Sequence, residues 1–186
     1  MIKILGLSGS LRRGSHNTAL LRAAAEMMPE GSMLDIATIE GIPIYNGDDE
    51  AETGVPPAVR ALKDRVVAAD GLLIASPEYN NSVPGGLKNA MDWLSRPQGD
   101  STRVFNDRPV AITGATTGIY GTTQGQTAWL PVLRTLRMNP WFSGRLLVAR
   151  AQTLMDEQGN LTDETLRKNL AEFVAGFVDF VRASTR

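Results

Sequence analysis

The chain has 186 residues, of which 42% are hydrophobic and 21% are charged, and its formal net charge is −1 at pH 7. These values are ordinary for a globular protein, and they indicate neither a polyanionic partner such as nucleic acid nor a strongly acidic docking surface. Because the chain has no cysteine and a single histidine, His16, its composition excludes disulfides, thiolate metal sites and thiol nucleophiles, and it disfavours a histidine triad.

Apolar runs predict five strands, and helical periodicity bounded by Gly and Pro predicts five helices. In chain order these are a strand at 2–7, a helix at 17–28, a strand at 32–39, a helix at 57–69, a strand at 71–75, a helix at 84–94, a strand at 110–113, a helix at 124–138, a strand at 146–149 and a helix from Thr162 or Asp163 to 183. Residues 40–57 and 98–108 are predicted to be loops. Asp35 in the second strand predicts a position at the sheet edge.

Strands that alternate with helices predict an α/β fold, with a doubly wound, five-stranded parallel sheet in one domain spanning residues 1–186. In the flavodoxin-like strand order 2-1-3-4-5, the first, third and fourth strands are neighbours. The loops after these three strands are polar and rich in glycine. Since ligands of such sheets bind beyond the carboxyl ends of the strands, we expect the three loops to form one site.

The loop between the first strand and the first helix is crowded with hydrogen-bond donors. It carries hydroxyls, an amide and two guanidinium groups: Ser8, Ser10, Ser15, Thr18, Asn17, Arg12 and Arg13. Free N–H groups at a helix start suit an anion, and this many donors suit the terminal phosphate of a mononucleotide. A P-loop is excluded because no Gly-Lys-Ser or Gly-Lys-Thr is present, and the G-x-G-x-x-G spacing is absent as well. A simple capped turn remains an alternative.

The loops after the third and fourth strands are suited to a planar ring. The first places the amphipathic ring of Tyr79 beside a rigid proline, and the second contains Gly114, Gly118 and Gly121, which allow close approach of the backbone. Each loop alone is also compatible with an ordinary turn. Together with a phosphate site at the same sheet edge, they predict flavin mononucleotide (FMN).

Three segments resemble the NADPH-dependent FMN reductase family, which includes bacterial quinone and chromate reductases and related azoreductases. They are GSLRRGSHN at residues 9–17, SPEYN at 76–80 and GLKNAMDWL at 86–94. The resemblance follows nearly the whole chain in order. It implies a flavodoxin-like fold, bound FMN, NADPH or NADH as electron donor, and a homodimer or homotetramer.

The resemblance also implies which residues form the site. Ser10, Arg12, Ser15, His16 and Asn17 would hold the phosphate side, Pro77, Glu78, Tyr79 and Asn80 would border the ring, and Gly114, Ala115 and Thr116 would reach its pyrimidine edge. The chain departs from the family pattern at two places. His16 stands where an aromatic residue is frequent, and Gly121-Thr122 stands where a glycine pair is frequent, so contacts after Thr117 are left unassigned.

The expected activity is electron transfer from NAD(P)H through FMN to a quinone, an azo compound, a metal oxyanion or free flavin, with no catalytic side chain and no metal. His16 is expected to bind phosphate rather than to transfer protons. Two alternatives are a flavodoxin-type electron carrier without NAD(P)H activity and a binding module for another mononucleotide.

Two further expectations concern the surroundings of the protein. Met91, Trp93 and Leu94 in the helix at 84–94 are expected to form a subunit contact, because Met and Trp are enriched in interface cores. No apolar run approaches the roughly 18 residues of a membrane span, and the first residues enter a strand rather than a secretion signal. We therefore expect a cytoplasmic protein that contacts neither membrane nor nucleic acid.

Overall fold

The computed structural model describes residues 1–184, which form a parallel sheet between two layers of helices. The strands are β1 (Ile2–Ser8), β2 (Ser32–Thr38), β3 (Gly71–Ala75), β4 (Pro109–Ala115), β5 (Asn139–Pro140) and β6 (Leu146–Val148). The helices are α1 (His16–Glu26), α2 (Gly47–Thr53), α3 (Pro57–Val67), α4 (Gly85–Leu94), α5 (Asp100–Phe105), α6 (Thr123–Thr135) and α7 (Glu164–Ser184). A short 3₁₀ turn, Ala151–Thr153, follows β6.

The sheet has the order β2-β1-β3-β4-β5, with β6 also paired to β4, and every pairing is parallel. This confirms the predicted flavodoxin-like order and the edge position of the second strand. Ser8 at the end of β1 lies opposite Ala75 of β3, which lies opposite Thr113 of β4. The loops after β1, β3 and β4 therefore leave the same edge of the sheet.

Both faces of the sheet are buried, which explains why its central strands are continuous apolar runs rather than alternating ones. In β1, Ile4 packs with α1 and α7 on one face, whereas Leu5 and Leu7 pack with α3, α4 and α6 on the other. In β3, Leu73 and Leu72 divide between the two faces in the same way. The two apolar layers hold the carboxyl ends of the strands in place for the loops that follow.

The prediction of loop at residues 40–57 was wrong over α2. The Asn46 side chain caps this helix by accepting a hydrogen bond from the Asp48 amide at 3.0 Å, and acidic residues occupy its first turn, where the helix dipole favours them. Glu50 then accepts hydrogen bonds from the Tyr45 hydroxyl at 2.9 Å and the Arg96 guanidinium at 2.8 Å. A helix this short is stabilised by such tertiary contacts, which a local sequence pattern does not reveal.

The prediction of loop at residues 98–108 was wrong over α5. Val104 and Phe105 at the end of this helix are fully buried in the core on the α3 side of the sheet. At the start of the helix, the Asp100 carboxylate pairs with the buried Lys63 ammonium at 2.8 Å. Polar residues dominate this segment, and its two apolar anchors are too few for a periodic pattern.

The last strand is divided into two parts. The predicted strand at 146–149 corresponds to β6, which pairs with the Thr113–Ala115 end of β4, but residues 139 and 140 also pair with Pro109 and Val110 as β5. The helix before them ends at Thr135 rather than at 138. Between β5 and β6 the chain leaves the sheet, and Trp141 packs there against Phe173 and Phe177 of α7.

The expectation that Met91, Trp93 and Leu94 form a subunit contact was wrong. Their exposed fractions are 1%, 1% and 0% within the chain itself, so they belong to its own core. The Trp93 indole N–H also donates to the Pro43 carbonyl at 2.9 Å. Among the described helices, none combines the length and the apolar character needed to cross a membrane.

Candidate functional site

A cleft of about 190 Å³ lies where the loops after β1, β3 and β4 meet. Its lining comes from all three loops: Ser10, Arg12, Ser15, His16, Asn17, Pro77, Glu78, Tyr79, Ala115, Thr116 and Thr117. Every residue that the sequence assigned to the site is among them except Asn80 and Gly114. Thr117 was not assigned, although it directly follows two residues that were. The structure thus brings together side chains that are more than 100 positions apart in the chain.

The first loop presents donors to one end of the cleft. Ser15 caps α1 by accepting a hydrogen bond from the Thr18 amide at 3.2 Å, and the first backbone bond of the helix runs from Ala19 N to Ser15 O at 2.9 Å. Within residues 1–184, the amides of His16 and Asn17 have no acceptor. They precede this first helical bond and lie at the positive end of the α1 dipole.

The loop hydroxyls divide into two groups. Ser8 and Thr18 hydrogen-bond each other at 2.8 Å and do not line the cleft. Ser10 and Ser15 do line it, with exposed fractions of 6% and 2%. Their hydroxyls, two free amides and the exposed Arg12 guanidinium form a donor set that matches the oxygens of a phosphate monoester.

Asn17 has a role that the sequence did not reveal. Its Nδ2 donates to the carbonyl of Ala115 at 3.0 Å, and its Oδ1 accepts from the Ala115 amide at 2.9 Å. The side chain is buried and thereby fastens the start of α1 to the end of β4. Asn17 therefore positions the cleft through its carboxamide and offers its backbone amide to a ligand.

His16 lies at the donor-rich end of the cleft and is half-buried. Burial lowers its pKa below 6.5, and the positive charge of Arg12 lowers the pKa further. Without a bound anion, His16 is therefore neutral at pH 7. A dianionic phosphate nearby would act on its pKa in the opposite direction.

The loop after β3 is held rigidly where it lines the cleft. The Ser76 hydroxyl accepts a hydrogen bond from the Trp129 indole N–H and donates to the Pro77 carbonyl, both at 2.9 Å. Tyr79 then begins a tight turn that is closed by hydrogen bonds with Ser82 in both directions. The Tyr79 ring is 51% exposed at the rim, where it can contact a flat ligand.

The Glu78 carboxylate lines the cleft and also reaches the start of α6. It accepts a hydrogen bond from the Gly125 amide at 2.7 Å, in the first turn of that helix. A carboxylate is favoured there by the helix dipole and by otherwise unpaired N–H groups. Glu78 therefore connects the loop after β3 to the helix that follows β4.

Asn80 and Gly114 do not line the cleft. Asn80 has φ of 51° and Asn81 has φ of 59°, so both occupy the left-handed region that a two-residue hairpin turn requires. Gly114 is packed against the neighbouring loop, where an added Cβ would lie 2.1 Å from the Ser76 carbonyl oxygen and 2.7 Å from Thr122 Oγ1. The residues shape the loops on which the site is built.

Residues 2–153 match the sequence model of the family described as NADPH-dependent FMN reductase. The chain belongs to this family. It is 41% identical over 181 residues to the NAD(P)H-dependent FMN reductase PA1204 of Pseudomonas aeruginosa, covering 97% of this chain and 96% of that protein. It is 34% identical over 187 residues to the quinone reductase of Escherichia coli K12, covering 97% and 96%.

A solved structure agrees with this assignment. FerB of Paracoccus denitrificans, a flavoenzyme NAD(P)H:(acceptor) oxidoreductase, superposes with a TM-score of 0.87 at 29% identity and covers 99% of both chains. Membership of the FMN reductase family confirms FMN as the cofactor and NAD(P)H as the co-substrate. The donor set of the cleft fits the phosphate of FMN. A flavodoxin-type carrier without NAD(P)H activity is not favoured.

Proposed function

We propose that this FMN reductase transfers electrons from NAD(P)H through FMN to a small acceptor: a quinone, an azo compound, a metal oxyanion or free flavin. The observation that carries this proposal is the single cleft formed by three loops, with phosphate donors at one end and a flat, partly exposed aromatic ring at the other. The family match supports the donor and the cofactor, and the relatives named quinone reductase support the acceptor class.

The first loop would hold the phosphate of FMN. Ser10 and Ser15 would donate through their hydroxyls, His16 and Asn17 through their amides, and Arg12 would add a positive charge. Several such donors would favour a cofactor with a terminal phosphate, because charge-assisted hydrogen bonds contribute roughly 1.5–3 kcal/mol each.

The loops after β3 and β4 would border the isoalloxazine ring. Pro77, Glu78 and Tyr79 line the cleft from the loop after β3, and Ala115, Thr116 and Thr117 line it from the end of β4 and the loop that follows. When bound, FMN supplies the redox chemistry by accepting two electrons from the reduced nicotinamide and passing them to the acceptor. The part of the protein is to orient the ring and limit its access to water.

No side chain of the cleft is proposed as an essential acid or base. His16 lies among the phosphate donors, and the Glu78 carboxylate is occupied by the Gly125 amide. In residues 1–184, no group of His, Asp or Glu side chains is arranged to hold a metal ion. Binding and orientation are therefore the proposed work of the residues in the cleft.

The wider organisation is also part of the proposal. We propose a single FMN-binding domain over residues 1–186, located in the cytoplasm, that forms a homodimer or homotetramer and uses neither nucleic acid nor membrane as a partner. An apolar rim supports self-association. It consists of Leu11, Tyr79, Ile119 and Tyr120 in the three loops, with exposed fractions of 64%, 51%, 59% and 79%.

The test begins with the absorption spectrum of the purified protein, which should show bound flavin that is released as FMN on denaturation. Under anaerobic conditions, NADPH or NADH alone should bleach the flavin, and a quinone should restore its colour. A carrier without NAD(P)H activity would keep its colour until a separate reductase was added. A binding module for another mononucleotide would show no flavin spectrum after incubation with FMN.

A further inference from the structure

A second cavity adjoins the phosphate end of the cleft. Its volume is about 420 Å³, compared with about 190 Å³ for the cleft, and it lies within the range of roughly 300–1,000 Å³ that is usual for small-molecule sites. Ser15 and His16 line both cavities. A ligand that occupies the phosphate end can therefore extend past the start of α1 into the second cavity.

One wall of this cavity is α1, and the other is the turn at residues 155–160. His16, Ala19 and Arg22 follow at intervals of three along α1 and lie on the same face of the helix. Gly159 closes the far end, because a Cβ added there would lie 3.3 Å from Ala19 Cβ and 3.4 Å from Arg22 Nη2. The cavity is thus a bounded pocket between two elements.

The turn that forms the second wall is ordered by its own hydrogen bonds. Asp156 Oδ1 accepts from the amides of Gln158 and Asn160 at 3.0 and 2.8 Å, and Oδ2 accepts from Asn160 Nδ2 at 2.9 Å. Met155 and Leu161 bridge the base of the turn. These hydrogen bonds lower the pKa of Asp156, so its ionised carboxylate is stabilised by donors within the turn.

Positive charge in the cavity comes from Arg13 and Arg22. Both are exposed, and within residues 1–184 neither forms an ion pair or a hydrogen bond. By contrast, Arg65 and Arg96 pair with carboxylates at 2.8 Å. Two unpaired guanidinium groups beside the phosphate cleft form a site for a second phosphate, since guanidinium donates two parallel hydrogen bonds to phosphate oxygens.

The rest of the lining suits a nucleoside. Ala19 and Met155 are buried, and their apolar surface can receive the face of a base, while the amides of Gln152 and Gln158 can bond its polar edge. The exposed Glu157 carboxylate can accept hydrogen bonds from ribose hydroxyls, as acidic residues do in dinucleotide sites.

We propose that this cavity binds the adenosine phosphate half of a dinucleotide whose other half lies in the FMN cleft. The inference rests on the proposed function, which places a flavin in that cleft. Two dinucleotides share this chemistry. One is the reduced nicotinamide co-substrate, and the other is flavin adenine dinucleotide (FAD), whose adenosine phosphate is joined to the phosphate of an FMN unit.

The first experiment is calorimetric titration of the FMN-loaded protein with 5′-AMP. We expect saturable binding that Arg13→Gln and Arg22→Gln each weaken by roughly tenfold, the loss of about one charge-assisted bond. Gln158→Trp should abolish binding by filling the cavity, since only the backbone of Gln158 supports the turn. Arg134→Gln, an exposed arginine on α6, is the matched control and should leave binding unchanged.

Two further measurements distinguish which dinucleotide supplies the adenosine phosphate. The cavity is assigned to the nicotinamide dinucleotide if Arg22→Gln raises KM for NADPH or NADH and leaves kcat unchanged. In that case 5′-AMP should also compete with the co-substrate. Weaker binding of FAD but not of FMN to the Arg22→Gln apoprotein assigns it to FAD. No effect on either dinucleotide would overturn the dinucleotide assignment.

Absence of 5′-AMP binding, or an equal loss in Arg134→Gln, would overturn the proposed site. The flavin spectrum and its bleaching by NAD(P)H are measured in the same preparations. If those remain while 5′-AMP fails to bind, this inference alone is wrong. If they are absent while 5′-AMP binds the flavin-free protein and Arg22→Gln weakens that binding, the proposed function is wrong and the adenosine phosphate site stands.

Discussion

At the scale of single residues, the geometry of the cleft depends on a side chain that has little to do with ligand binding. The Asn17 carboxamide bonds both the amide and the carbonyl of Ala115, 98 residues away. These bonds align the phosphate loop with the loop after β4. Ser10 and Ser15, by contrast, line the cleft, where their hydroxyls would donate hydrogen bonds to a charged phosphate.

Asn17→Leu should destabilise the protein. It removes both hydrogen bonds and leaves the buried amide and carbonyl of Ala115 unpaired, at roughly 1–3 kcal/mol for each group. We expect the free energy of unfolding, measured by urea denaturation, to fall by about 2–4 kcal/mol. The control Asn169→Leu changes an exposed position on α7 and should stay within about 0.5 kcal/mol of the wild type. Equal losses in the two variants would contradict the assigned role.

Ser10→Asp should release FMN. The new carboxylate would face the phosphate dianion in a cleft where Ser10 is 6% exposed, so both the lost donor and the repulsion oppose binding. We expect affinity for FMN, followed by flavin fluorescence, to fall by at least about 100-fold, and affinity for riboflavin to change much less. Ser143→Asp places the same charge on the exposed β5–β6 connection and should bind FMN normally. If riboflavin bound the wild type as tightly as FMN, the phosphate assignment would be wrong.

His16 should couple FMN binding to protons. Burial and the charge of Arg12 lower the pKa of His16 in the folded, ligand-free protein. Because the unfolded chain then binds more protons than the folded one, the contribution of His16 to stability is lost as pH falls below about 6.5. A phosphate dianion bound nearby would raise the same pKa. Going from pH 8 to pH 6, the FMN affinity of the wild type relative to that of His16→Gln should therefore increase.

The ratio of the two affinities cancels the titration of the phosphate itself, whose second pKa is about 6. A ratio that stays flat across this range would show that His16 does not contact the phosphate. With FMN saturating, His16→Gln should keep most of the wild-type kcat.

At the scale of elements, the start of α6 connects the loop after β3 to the loop after β4. Glu78 accepts a hydrogen bond from the Gly125 amide, and the Trp129 indole donates to Ser76, so the helix is tied to two residues in the first part of the loop after β3. Gly125 favours this close contact, because a Cβ there would lie 3.3 Å from Glu78 Cβ and Cγ and would force a small shift. The helix thus sets the distance across the ring end of the cleft.

Glu78→Ala should destabilise the protein by about 1 kcal/mol, the usual cost of removing a capping acceptor from a helix start. Glu78→Gln retains an acceptor oxygen and should recover most of this loss in thermal or urea denaturation. Its kcat should also vary little between pH 6 and 8, as in the wild type. A steep limb of the wild-type kcat profile that disappeared in Glu78→Gln would instead show that Glu78 transfers a proton.

At the scale of the whole molecule, exposed apolar side chains are concentrated in two places. One is the rim of the cleft, and the other is a patch formed by Leu130 and Phe142, which line a cavity beside β4. A closed tetramer needs at least two different contacts per subunit, whereas a dimer needs one. The two apolar regions would accommodate either of the proposed assemblies.

Charged substitutions should separate the two contacts. In analytical ultracentrifugation at micromolar concentration, Ile119→Asp is expected to lower the mass by disrupting the rim contact. Phe142→Asp should reduce a tetramer to a dimer and leave a dimer intact. Ile44→Asp, at an isolated position that is 78% exposed, is the control and should not change the mass. A monomeric wild type would contradict the proposed assembly.

Local sequence patterns and the family resemblance were sufficient to predict the order of the sheet and most of the lining of the cleft. Continuous apolar runs mark strands buried on both faces, and parallel strands carry their loops to a common edge, so loop chemistry could be read before any coordinates. Loop chemistry indicated the donors Ser10, Arg12, Ser15 and Asn17 and the ring of Tyr79, and the family resemblance supplied the rest of the predicted set. Apolar runs and donor-rich loops can be recognised from residues within a few positions of one another.

Hydrogen bonds between residues far apart in the chain could not be predicted from these patterns. The Asn17–Ala115 and Glu78–Gly125 contacts, the burial of Trp93 and the positions of Asn80 and Gly114 outside the cleft depend on partners from other elements. The same holds for α2, α5 and the short β5, which are too brief for a periodic pattern and are stabilised by packing. Local patterns specify elements and donors, whereas distances between distant residues are set by how the elements pack.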